Sequence, residues 1–167
     1  VDNFLEFSRP PRLKTRNMSP SLIVDSALNL LEQRLKSYRV SVKLSRSTPL
    51  SQTRIDPDQL KEVIVNIIIN ACEAIKHDGQ IIISEEERFI HPLERVVIIR
   101  IRDDGPGIPK EILPEIFNPF FTTRDHGTGL GLSIAYNIIT EHGGWLGVSS
   151  KEGQGATFVI TLPIQDD

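Results

Sequence analysis

One cysteine, Cys72, stands among 167 residues, so no intrachain disulfide can form and a packed core has to hold the fold. It falls in an apolar helical run, where a buried structural thiol is expected rather than a nucleophile. A lone thiol also suits a reducing, cytoplasmic setting. No apolar run approaches the roughly 20 residues of a membrane span, and no signal-peptide pattern opens the chain. An excess of one charge is lacking too. Nineteen basic against 22 acidic residues, a net charge of −3, favour neither a nucleic acid nor an anionic membrane as partner. With 39% hydrophobic and 25% charged residues, the composition is that of one ordinary globular domain. A start without methionine and in mid-helix pattern reads as a fragment, and leaves the parent's membrane topology open.

Val1, Phe4, Leu5 and Phe7 have the spacing of a closing amphipathic helix, stopped at Pro10-Pro11. Residues 10–20 are basic and proline-punctuated and read as a linker. Residues 1–19 are therefore set apart from a domain over 20–167. Ser19 caps a helix with Pro20 first, carried by Leu22, Ile23, Ala27, Leu30, Leu31 and Leu35 to about Ser37. Strands are expected at 40–45 and 53–55, then a long helix from Asp56-Pro57 to about Lys76. Strands at 81–83 and 96–101 flank a charged stretch, Glu85 through Glu94, that reads as a solvated hairpin loop. Glycine, proline and threonine crowd 104–131, with one short helix at 109–113; so long a loop in a compact domain is usually functional. A helix over 130–142 ends at Gly143-Gly144, and strands at 145–150 and 156–162 are joined by a glycine-containing turn. The sum is an α/β sandwich, a mixed sheet with helices on one face. Trp145 is expected to pack at its strand start.

Three stations carry chemistry. The helix 57–76 is apolar almost all round, yet Glu62, Asn66, Asn70, Glu73 and His77 form one stripe. It is either a solvent face or the wall of a pocket, where amide oxygens suit the hard cation Mg²⁺. Next, Asp103-Asp104-Gly105-Pro106-Gly107-Ile108 follows a buried strand. It is either a plain turn or a place where a carboxylate, an acceptor only, takes the amino group of adenine. Third, Gly127-Thr128-Gly129-Leu130-Gly131-Leu132-Ser133 opens a helix. Free N–H groups and the positive dipole end there make a ready phosphate site. No Gly-Lys-Ser/Thr follows, so it is not a Walker loop, and the glycine spacing is wrong for a dinucleotide fingerprint. Each station is weak alone; the order metal, base, phosphate is specific.

The three stations, with Phe117-Asn118-Pro119-Phe120-Phe121, resemble the N, G1, F and G2 boxes of histidine kinases. That superfamily is shared with type II topoisomerase, heat-shock chaperone and mismatch-repair ATPases. The likeness runs from about residue 20 to Pro163, and Pro119 to Arg124 is similar to nitrogen-regulation-type sensor kinases. So is Phe4-Leu5-Glu6-Phe7-Ser8-Arg9-Pro10, which resembles the end of their dimerisation helix hairpin. The resemblance implies a Bergerat-type two-layer sandwich of about five strands and about three helices. It implies Asn70 as Mg²⁺ ligand with Asn66 beside it, and Asp103, Gly105, Gly107 and Ile108 around adenine. It further implies Phe117 and Phe120 as hinge of a lid carrying Thr123 and Arg124, and Gly127, Thr128, Gly129, Leu130, Gly131 and Leu132 around the phosphates.

The reaction it implies is transfer of the γ-phosphoryl of ATP to a histidine on dimerisation helices outside this chain. A response regulator would follow as partner, with the domain itself monomeric. Two departures matter. Many members carry a basic residue where Glu73 stands, so charge facing the terminal phosphates falls to Arg124, backbone amides or both. None of His77, His91, His126 and His142 sits in a phosphoacceptor motif or in paired metal-ligand spacing, and all four read as structural or surface residues. Asn66 stands where the ATPase relatives have a glutamate; a neutral amide cannot take water's proton, and Glu62, one turn away, is poorly placed to replace it. Open alternatives are an anti-sigma-type serine-protein kinase, which residues 4–10 argue against, a nucleotide-binding regulatory module without transfer, and a purely structural domain.

Overall fold

The computed structural model describes residues 12–46, 48–91 and 94–165. The expected helix end at residues 1–9 and its Pro10-Pro11 stop lie outside these. Strand β1 (Arg16–Met18) precedes α1 (Pro20–Tyr38), β2 (Val40–Ser45), β3 (Thr53–Ile55) and α2 (Pro57–Ile75). Then come β4 (Gly79–His91), β5 (Glu94–Asp103), a 3-10 turn at Leu113–Glu115, α3 (Gly131–Glu141), β6 (Trp145–Ser150) and β7 (Ala156–Pro163). The main sheet runs β2-β4-β5-β7-β6; β2 lies parallel to β4 and every other pairing is antiparallel. All three helices pack on one face, α2 in the middle touching α1 and α3. Among the described residues no helix is long and apolar enough to cross a membrane.

Local chemistry explains the helix starts. Ser19 Oγ accepts from Ser21 N–H at 3.3 Å, and Asp56 Oδ1 accepts from Gln59 N–H at 3.2 Å, with proline first in both helices. Burial of Leu60, Val63, Ile64, Ile67, Ile68 and Ala71 then fixes how α2 is rotated. On β5 the core-facing set is Val97, Ile99, Ile101 and Asp103, spaced two apart. That alternation sends Asp103 inward under the helices and leaves Asp104 outside.

The structure revises four sequence expectations. The stretch 85–91 is no solvated loop: Glu85 through Phe89 pair residue by residue with Arg95 through Ile99. Its glutamates have partners, Glu86 on Arg100 and Arg88, and Glu87 on Arg95. Glu85 is buried, holding Arg46 at 2.5 Å and accepting from Ser21 Oγ–H. Second, the segment read as linker contains β1, paired antiparallel with β3. Third, the short helix of the long loop falls at 113–115, where Glu115 N–H donates to Ile112 O at 2.9 Å. Fourth, Trp145 does begin a strand, but it is 73% exposed, because its neighbour Leu146 takes the inward position.

Ile67 is fully buried in α2, and Ile67→Ala should cost about 2–5 kcal/mol. Urea unfolding checks this, with a lower midpoint and an unchanged slope.

Candidate nucleotide site

A cleft of about 710 Å³ opens between α2, the loop after β5, the segment 116–129 and the start of α3. That volume lies within the roughly 300–1,000 Å³ of small-molecule sites. Asn66 and Asn70 line it from α2, Asp103, Gly107 and Ile108 from the end of β5. Thr123, Arg124, Gly127, Thr128 and Gly129 close one side, Gly131 and Leu132 another. The three stations therefore share one cavity. Four further expected residues stand just outside. Gly105 braces Asp103, Leu130 precedes α3, and Phe117 and Phe120 belong to the segment 116–129.

Asp103 is 4% exposed, and its Oδ1 accepts from Gly105 N–H at 2.9 Å and Ala156 N–H at 3.3 Å. Both bonds fall on one oxygen, which leaves Oδ2 as the open acceptor. Burial pushes its carboxyl above the ordinary range; the two N–H donors pull it down and Asp104 adds repulsion upward. Asp104 does a different job, accepting from Gln80 N–H at 2.9 Å and so tying the loop to β4.

Support for this corner comes from residues the sequence reading passed over. Gly155, at φ +76°, lies so close to the Asp103 carbonyl that a Cβ would collide with backbone. Ser150 Oγ donates to Gly155 O at 2.8 Å and accepts from Ile108 N–H at 2.8 Å. Gly153 N–H donates to Pro106 O at 2.7 Å. The turn 151–155 thus buttresses the base station. Its glycines, at positions a plain hairpin turn would also use, carried no separate signal.

At the glycine-rich station α3 begins after Leu130 with no side-chain cap on its first N–H groups, and its first residues, Gly131 and Leu132, line the cleft. Asn66 Nδ2–H donates to Gly131 O at 3.3 Å, which fixes that start against α2 and leaves Oδ1 as an acceptor. Gly129 stands at φ +67° against the backbone of Phe120, whose N–H donates to Gly129 O at 2.9 Å. Phe120 is itself at φ +66° with its side chain exposed, so it pins the segment by its backbone. Phe117 anchors the segment below, its ring 5.3 Å from Tyr136 and 6.4 Å from Phe158. Arg124 reaches across to α2, donating to Asn70 Oδ1 at 3.2 Å and Asn70 O at 3.3 Å and pairing with Glu73.

His77, His91 and His126 are exposed, and His126 lies on the cleft rim. His142 is buried and structural: Asp56 N–H donates to its Nε2 at 2.9 Å, and its Nδ1–H donates to Ile138 O at 2.7 Å. Among the described residues no group of three His, Cys, Asp or Glu could hold a metal. A cation in this cleft would rest on amide oxygens and on the ligand's own phosphates. Asn70 Oδ1 already receives a cationic donor, so its position suits positive charge.

Two outcomes are expected. Because the Asp103 carboxyl is raised, the folded chain is favoured at low pH and loses that contribution as pH climbs through the raised value. Asp103→Asn has no proton to lose, so the urea midpoint of the variant should gain on wild type as pH rises above the ordinary carboxylate range. Gly155→Ala should cost about 1–3 kcal/mol more than Gly153→Ala, which has the same sign of φ but open space around it. Paired urea titrations read the difference.

Three comparisons bear on this site. A family model described as histidine kinase-, DNA gyrase B-, and HSP90-like ATPase matches residues 55–166. The sensor histidine kinase ZraS of Salmonella typhimurium is 38% identical over 164 residues, covering 98% of this chain and 34% of that protein. The chain spans about a third of the length of the ZraS relatives it matches. Among solved structures, the nucleotide-free catalytic domain of histidine kinase ThkA superposes with a TM-score of 0.80 at 29% identity, covering 91% of this chain and 97% of that one. ThkA in complex with the response regulator protein TrrA gives a TM-score of 0.80 at 27% identity, over 99% of this chain and 46% of that one. The five-stranded mixed sheet with three helices is the fold of that catalytic domain. The chain belongs to the histidine kinase-, DNA gyrase B- and HSP90-like ATPase family.

Proposed function

We propose that this chain is the Mg²⁺–ATP-binding catalytic domain of a two-component sensor histidine kinase, acting in the cytoplasm. The observation that carries the reading is the convergence of Asp103, the two asparagines and the uncapped start of α3 on one cleft. Asp103 Oδ2 accepts from the adenine amino group, a contact that guanine's carbonyl cannot make. The phosphates face the N–H groups and positive dipole end of α3. Mg²⁺, held by the amide oxygens of Asn70 and Asn66, would neutralise charge on the polyphosphate.

Phosphoryl transfer asks mainly for positioning and charge stabilisation. An imidazole nitrogen on a dimerisation helix of the parent protein attacks the γ-phosphorus. The N–P bond forms, the bond to the β,γ-bridging oxygen breaks, and ADP departs with that electron pair. Arg124, which lines the cleft beside Asn70, is the cation this reading sets at the phosphate end, since Glu73 occupies the neighbouring turn of α2. Asn66 supplies no base for water, which disfavours hydrolysis and favours a delivered nucleophile. A response regulator then receives the phosphoryl group. The complex of ThkA with TrrA supports a partner of that kind.

Magnesium-dependent ATP titration of wild type against Asp103→Asn should show a loss of about 10- to 100-fold, the size of a hydrogen bond to a charged group. Asn70→Asp should alter the magnesium dependence. With γ-labelled ATP, label should reach a separately supplied phosphoacceptor helix pair and stay off this chain. Label on this chain alone would overturn transfer to a delivered histidine; binding without transfer would favour a regulatory nucleotide module.

A further inference from the structure

Arg124 and the α2 stripe are bound to each other in this structure, and the pairing is specific. One guanidinium nitrogen donates to Asn70 Oδ1, another to Asn70 O, and the first also pairs with Glu73. The amide oxygen offered to a cation is thereby covered by the side chain offered to the phosphates. The backbone of Arg124 is tied into a local turn: its N–H donates to Thr122 Oγ1 at 3.1 Å, and its carbonyl accepts from Gly127 N–H at 3.3 Å. Glu73 lies between two arginines, with Arg34 of α1 at 3.6 Å from its other oxygen. When Arg124 leaves, Glu73 keeps a cationic partner.

We infer that Glu73 is the catch of an autoinhibitory latch: it parks Arg124 over Asn70 and yields the guanidinium only to a terminal phosphate. The inference rests on the ATP reading of the cleft and adds the competition that governs entry to it. Glu73 offers one negative charge, about 29% exposed, to an arginine about 40% exposed. So exposed a pair is weak, easily outbid by a γ-phosphate bearing more charge and more acceptor oxygens. A diphosphate ends one group short and presents no such competitor at that place. The latch therefore favours triphosphate over diphosphate, and it is screened by salt.

Glu73→Gln tests it, because the neutral amide keeps the shape and gives up the charge. Without nucleotide, amide hydrogen exchange over residues 122–129 should rise at least twofold; unchanged exchange would overturn the latch, whatever ATP does. With Mg²⁺–ATP, affinity should rise about two- to fivefold, the size a half-exposed ion pair can move, and the gain should shrink in high salt. In an Arg124→Ala background Glu73→Gln should change neither quantity. An equal effect in both backgrounds would assign Glu73 to the ligand directly and overturn the latch. Absent ATP binding by wild type would instead defeat the nucleotide reading, while the exchange result still stands.

Discussion

Helix α2 has to satisfy two media around one circumference. Leu60, Val63, Ile64, Ile67, Ile68 and Ala71 are buried, while Asn66, Asn70 and Glu73 stand on the cleft side of the same turns. Turning the helix by one residue, about 100°, would put amides into the core, where an unpaired one costs about 1–3 kcal/mol. Hydrophobic burial therefore sets the angular position of the polar row without any contact to a ligand. The site's geometry is inherited from the core.

A parallel constraint places the base station. Inward alternation on β5 ends on a carboxylate, and that carboxylate remains tolerable under the helices because two backbone N–H groups meet its Oδ1. Those donors come from both sides, Gly105 in the same loop and Ala156 at the start of β7. The second exists only because the turn 151–155 brings backbone against Asp103, which a side chain at Gly155 would prevent. Strand pairing between β5 and β7 thus does double service, closing the sheet and bracing the acceptor.

Much of this was legible in the residues, and what escaped has physical reasons. Period-3.6 and period-2 patterns located all three helices and the sheet strands because each buries one face. The three stations were readable because asparagine in an apolar helix, aspartate at an inward strand end and glycines before a helix each break a local pattern. The paired stretch 85–91 escaped because its partners are arginines across the strand, and consecutive glutamates look solvated until those partners are placed. Trp145 stands at the strand start expected for it but faces solvent, because the alternation of β6 turns Leu146 inward. Ser150 and Gly155 act only through a contact about 50 residues away in sequence, and nothing local marks them. The pairing of Arg124 with Glu73 is of the same kind, two ordinary surface charges until the segment 116–129 folds back over α2.

Helix α3 is fastened to α2 at both of its ends, once at the cap of α2 and once at its middle. Asp56, the cap of α2, donates its N–H to His142 at the close of α3, while Asn66 donates to Gly131 at the opening of α3. From Asp56 to Asn66 is about 15 Å along a helix axis, and from Gly131 to His142 about 16.5 Å, so the two fastenings fit antiparallel neighbours. Neither helix can slide along the other without breaking one of them, and the bond at His142 is buried, where its loss leaves a polar group unpaired. The same Asp56 accepts from Lys14 N–H at 2.7 Å through Oδ2, so the segment preceding α1 is tied to this clamp. The amide row of α2 and the start of α3 are thus joined through Asn66, and the segment 116–129 meets the same row through Arg124.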